Sequence, residues 1–97
     1  MSGRSRMTIR KEMIFEEIDV KDFAKWKSVF DSHEEQRKKY GFIRSHVFRS
    51  VENPNHVAMI FDIESRDIAS QWMESDALKA IRQEAGVIGD IVYGYSS

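Results

Sequence analysis

Apolar and aromatic side chains recur at Phe23, Trp26, Phe30, His33 and Tyr40, with Val29 at the edge of the stripe. That spacing keeps to one face of a helix turning ~100° per residue. It predicts a single long amphipathic helix from Asp19 to Gly41. Ile18 and Phe23 flank Asp19 as the halves of a hydrophobic staple, which makes Asp19 the expected N-cap, with Asp22 returning the hydrogen bond. Lys38 and Lys39 fall in the last turn, where cations meet the negative end of the helix dipole, and Gly41 follows as the terminator.

The flanking segments follow a period of two. From Met7 to Ile18, Ile9, Met13 and Phe15 lie on one side with Lys11, and Thr8, Arg10, Glu12 and Glu16 on the other with Ile14. This reads as a strand. The preceding residues 1–6 read as a frayed tail, and 7–97 as a single domain. A second strand is predicted over Phe42 to Val51, where Arg44, His46 and Arg49 suit a sheet edge. Glu52-Asn53-Pro54-Asn55 is a turn, since proline presets φ and asparagine tolerates the next position. His56 to Ile63 is a third strand, apolar almost throughout and so covered on both faces. A turn centred on Pro54 and Asn55 would pair Phe48 with Phe61 and Ser50 with Met59, and would put Val47, Val51, Ala58 and Ile60 on the opposite face. His46 would then face Ile63. Ser65 and Ser75 are helix caps for segments carrying Ile68, Ala69, Trp72 and Met73, then Leu78, Ile81 and Ala85. One kinked helix and two separate ones both fit that pattern. Gly86 ends the segment, and Gly89 to Tyr95 is the last strand.

The order β-α-β-β-α-β is that of an α+β, ferredoxin-like fold. Right-handed crossovers place both helical layers on one face of an antiparallel sheet, with the strands in spatial order 4-1-3-2. Helices then cover one face alone, while the third strand offers apolar residues to both. The expected consequence is a homodimer, packed through the helix-free sheet face, with Val47 and Val51 on it.

Composition narrows the functional classes. A net charge of −1 supplies no basic field for nucleic acid. With 32% charged residues and no apolar run near ~20 residues, no membrane partner is expected. Zero cysteines suit a cytoplasmic setting and exclude disulfides and thiolate metal sites. His33, His46 and His56 lack the spacing of a metal motif, and the dispersed glycines form no phosphate loop, so neither metal nor cofactor is expected.

Val20 to Phe30, His33 and Arg37 ahead of Gly41, Val47-Phe48-Arg49, Asn53-Pro54-Asn55 and the segment Ser75 to Gly86 together resemble the small dimeric α/β-barrel proteins similar to the antibiotic-biosynthesis-monooxygenase group. The resemblance runs from Met7 onward. It implies a face-to-face dimer and, in each subunit, a cleft between helices and sheet. It also implies either a small-molecule-binding protein of this class or, alternatively, a cofactor-independent monooxygenase acting on an aromatic or polyketide-like substrate. Heme-degrading members of the group use a first-strand asparagine with a tryptophan and a histidine. The first strand here has no asparagine, and Asn53 and Asn55 sit in the turn.

His33 and Arg37 lie four residues apart on the inward stripe of the long helix. One reading makes them a pocket for an anionic or enolate-like oxygen, with Arg37 as anchor and His33 as catalytic acid or base. The other pairs Arg37 with a strand carboxylate and leaves His33 hydrogen-bonded at the rim. Trp26, Phe30, Tyr40, Met59, Phe61, Trp72 and Tyr93 are candidate walls for an aromatic ligand, and equally candidate core.

Overall fold

The computed structural model describes residues 12–96. The expected tail over 1–6 and the start of the first strand lie outside them. The elements are β1 (Glu12–Val20), α1 (Phe23–Ser32), α2 (Glu34–Lys39), β2 (Phe42–Arg49), β3 (His56–Ile63), α3 (Arg66–Met73), α4 (Asp76–Ala85) and β4 (Val87–Ser96). The four strands form one antiparallel sheet in the order β2-β3-β1-β4, the expected topology. No helix among the described residues is long and apolar enough to cross a membrane.

Several boundaries follow local hydrogen-bond chemistry. Ser65 and Ser75 cap α3 and α4 through side-chain oxygens that accept from Ile68 N and Leu78 N. The second helical segment is therefore two helices. Gly86 ends α4 at φ 83°, a left-handed conformation that suits glycine. The first helix departs from expectation at both ends. Its cap is Asp22, which accepts from Ala24 N at 3.0 Å, and not Asp19. Asp19 instead belongs to β1, opposite His56.

The helix also breaks at His33. There the Val29 carbonyl, which would accept from His33 N–H in an uninterrupted helix, receives the Ser32 hydroxyl at 2.7 Å and His33 Nδ1 at 2.9 Å. The displaced His33 N–H turns to Phe30 O at 3.2 Å. Side chains competing for a backbone acceptor in this way end the helical ladder.

The β2–β3 register differs as well. Val47 pairs with Met59, Phe48 with Ala58, His46 with Ile60 and Ser45 with Phe61. The turn chemistry is as expected, since His56 N donates to Asn53 O across Pro54 and Asn55. The loop, however, is longer than a tight hairpin. Ser50 Oγ accepts from Glu52 N and Asn53 N, and Ser50 N already pairs with His56 O. Relative to the expected Phe48–Phe61 pairing, Phe48 meets a residue three positions earlier. An odd shift exchanges the faces. Val47 thus lies on the helix side, opposite Met59, and Val51 projects fully into solvent from the loop.

The helix-covered face buries Ile14, Ile18, Val20, Val57, Met59, Phe61 and Ile63 against Trp26, Ala69, Trp72, Met73 and Ala85. The helix-free face carries apolar side chains interrupted by Glu17. Phe15, Phe48, Ile88 and Val92 remain 47%, 53%, 42% and 57% exposed there, beside half-buried Ala58 and Ile60. Gly94 sits opposite Phe15, and a Cβ on it would come within 3.1 Å of the Phe15 ring. Charge gathers in two clusters on the same face. Arg44 and His46 approach Asp62 Oδ2 at 3.2 and 3.6 Å. His56 bonds Asp19 through Nδ1 at 2.8 Å and Glu17 through Nε2 at 2.9 Å.

The hydrogen bond to Asp19, and after it the one to Glu17, raise the His56 pKa above its ordinary 6.5. A raised histidine contributes stability that is complete below the unfolded value and lost as pH climbs through the folded one. Stability should accordingly decline as pH rises above 6.5, and His56→Gln should flatten that part of the profile. Urea midpoints measured across the range test this, and an unchanged slope in the variant would refute it.

Candidate functional site

A cavity lies between the helices and the covered face of the sheet. Its walls include Trp26, Val29 and Phe30 from α1, Phe42 from β2, Met59 and Phe61 from β3, Trp72 and Met73 from α3, and Leu78 and Ile81 from α4. Trp26 stacks with Phe30 at 4.9 Å between ring centroids, and Phe61 meets Phe42 edge-on at 5.2 Å. Four polar side chains reach the lining: Glu16, His33, Arg37 and Arg82.

Of the residues expected from sequence, His33, Arg37, Trp26, Phe30, Met59, Phe61 and Trp72 all come together on this cavity. Tyr40 stands behind its wall, stacked on Trp72 at 5.3 Å. Tyr93 lies beside Glu16 on β4 and faces a neighbouring groove. Asn55, the nearest asparagine to the start of α1, is engaged with backbone, accepting from Phe23 N and donating to Lys21 O.

Among the described residues no carboxylate pairs with Arg37. It is 7% exposed, its Nη1 donates to Phe30 O at 2.8 Å, and its guanidinium lies 3.8 Å above the Phe30 ring centroid. Burial lowers its pKa, and the nearby charges of Glu34 and Asp31 oppose that. A guanidinium nevertheless keeps its proton in proteins. Arg37 is the buried residue of the short helix that follows the break at His33.

The His33 contacts assign its tautomer. A carbonyl only accepts, so Nδ1 bears the hydrogen shared with Val29 O and Ser32 Oγ. In the neutral ring Nε2 then holds the lone pair, and it has no hydrogen-bond partner among the described residues.

The strand carboxylate expected for Arg37 exists, but another arginine holds it. Glu16, on the inner face of β1 and 5% exposed, accepts from Arg82 Nη2 of α4 at 2.7 Å. Burial raises Glu16 above the ordinary carboxylate value, against the opposing charge and hydrogen bond of Arg82. Sequence reading missed this pair. The one available signal was a glutamate on the same side of the first strand as Ile14, a side that proved to face the core.

The cavity volume is ≈ 60 Å³, against ~30 Å³ for each water in the liquid. An aromatic ring therefore enters only if wall side chains turn aside. Phe30, Arg37 and Phe42 also border an open groove of ≈ 520 Å³ beside β2, so they form the partition between the two spaces.

Removing Arg82 alone strands a buried carboxylate. Arg82→Met should cost about 3 kcal/mol, and adding Glu16→Gln should recover most of it. Urea denaturation of the single and double variants measures both. Equal losses in the two would mean that the pair does not act as a unit.

By sequence the chain matches no family profile and no curated protein. By structure it is similar to a Bordetella bronchiseptica protein assigned as an antibiotic biosynthesis monooxygenase, with a TM-score of 0.74 at 14% identity over 90% of this chain and 95% of that one. It is similar to SnoaB, a cofactor-independent oxygenase from Streptomyces nogalater, with a TM-score of 0.72 at 15% identity over 92% and 93%. A conserved protein from Methanosarcina mazei Go1 superposes with a TM-score of 0.69 at 19% identity over 89% and 90%. The chain thus has the ferredoxin-like fold of the antibiotic-biosynthesis-monooxygenase-like proteins.

Proposed function

We propose that this chain is a small-molecule-binding protein that acts as a homodimer and takes a planar aromatic ligand with an anionic or enolate-like oxygen in the cleft between helices and sheet. The observation that carries this reading is Arg37, buried among aromatic walls with a backbone carbonyl and a ring face as its partners. Such an arginine is a ready anchor for an anionic or enolate-like oxygen. Trp26, Phe30, Met59, Phe61 and Trp72 would sandwich the ring, while Tyr40 and Tyr93 would support the wall from behind. The zero cysteines suit a cytoplasmic setting.

Arg37→Ala should leave the fold intact, because no carboxylate depends on it, and should abolish binding of an aromatic anion such as 2-naphthoate. Tryptophan fluorescence reads binding, and circular dichroism reads folding. Retained binding, or unfolding, would refute the anchor role.

His33 favours a second reading, a cofactor-independent oxygenase. Its Nδ1–H bond to Val29 O presents Nε2 as a base on the cavity wall, where it would deprotonate an aromatic substrate whose enolate Arg37 stabilises. Oxygen uptake with anthrone should fall by about a hundredfold or more in His33→Ala. Uptake equal in parent and variant would remove His33 from catalysis.

The helix-free face supports the dimer. Phe48, Ala58, Ile60 and Phe15 form a connected apolar patch across β2, β3 and β1, with Glu17 standing between Ala58 and Val92. At ~25 cal/mol per Å², covering several such side chains drives association strongly. Phe48→Glu should yield a folded monomer by size-exclusion chromatography. Val51→Glu, on the loop and off this face, should leave the dimer unchanged. A Phe48→Glu dimer would place the interface elsewhere.

A further inference from the structure

Arg82 belongs to two hollows. On its inner side it borders the aromatic cavity, and on its outer side it borders a groove of ≈ 350 Å³ between the α3–α4 turn and β4. The floor of that groove is apolar, with Met73, Val87, Ile91 and Tyr93. Lys79 and Glu74 line it together with Arg82. The volume lies in the range of small-molecule sites, ~300–1,000 Å³.

The contact between Arg82 and Glu16 is single-pronged, Nη2 to one carboxylate oxygen. A guanidinium offers five N–H donors, and no other donor of Arg82 has a partner among the described residues. The charge is therefore anchored from within and still able to bind from without.

We propose that this outer groove binds a small apolar carboxylate, whose head docks on Arg82 and whose arrival places a proton on Glu16. The groups around Glu16 explain the coupling. Arg82 of α4 is its one ion-pair partner among the described residues. Tyr93 of β4 and Met59 of β3 flank it in the sheet. His33 and Arg37 lie on the lining of the same cavity, and α3 contributes only Trp72 and Met73 there. Two carboxylates sharing one guanidinium, with one of them almost fully buried, do not both stay ionised at low cost. The buried one, already raised by desolvation, takes up a proton from solvent and becomes the neutral acid, while the ligand and Arg82 keep their charges. This site does not depend on the roles given above to His33 and Arg37.

The test is isothermal titration of the full chain with 3-phenylpropionate at neutral pH, in buffers of differing ionisation enthalpy. Saturable binding is expected with uptake of about one proton per ligand. The neutral analogue 3-phenylpropanamide should bind at least about tenfold more weakly. Glu16→Gln should bind the acid at least as well, without proton uptake. The double variant Glu16→Gln/Arg82→Met removes both members of the ion pair together, which keeps the fold, and should weaken binding at least about tenfold. Absence of saturation, binding without proton uptake in the parent, or undiminished binding in the double variant each overturns the proposal. Binding that is lost in Arg37→Ala but kept in the double variant also overturns it, and places the ligand in the inner cleft.

Discussion

One sheet with two apolar faces and a single layer of helices is the constraint behind every other feature. The inner face is satisfied within the chain, since Val57, Met59, Phe61 and Ile63 of β3 all pack beneath the helices. The alternate residues of that strand, Ala58 and Ile60, face the other way among Phe15, Phe48 and Val92. No element among the described residues crosses that side. Charge gathers in the Asp62 and His56 clusters, and Glu17 of the latter reaches the middle of the face, between Ala58 and Val92. A second copy of the same surface would cover the patch of Phe15, Phe48, Ala58 and Ile60 with its own kind.

Within the covered half, the polar residues are as informative as the apolar ones. A buried ion pair is weak evidence for stability, since desolvation offsets much of its attraction. Glu16 and Arg82 stand on a cavity wall and use few of their hydrogen-bonding positions on each other. Arg37 is spent on a carbonyl and a ring face. Both arginines separate the inner cavity from an outer groove, Arg37 toward β2 and Arg82 toward β4. The enclosed space is small, so these walls set what enters.

Local chemistry was legible in the sequence where a single residue decides the geometry. Ser65, Ser75 and Gly86 act where their side chains or φ angles say they should. The strand order followed from the succession of periods, and so did the gathering of His33, Arg37 and the tryptophans on one cleft. Competition was not legible. Asp19 and Asp22 are equally good caps on paper, and sheet pairing with His56 claimed Asp19. The break at His33 depends on Ser32 and His33 winning the Val29 carbonyl, which helical periodicity does not register. The β2–β3 register turned on how Ser50 folds its loop, four residues before the proline signal at Pro54. Which arginine meets Glu16 is a contact across 66 positions, and no local pattern carries it.

The most direct test of the uncovered face is the mass of the unaltered chain in solution. Sedimentation equilibrium at micromolar concentration should give twice 11.4 kDa. A mass of 11.4 kDa under those conditions would mean that the face stands in water, and the account of the sheet would be wrong.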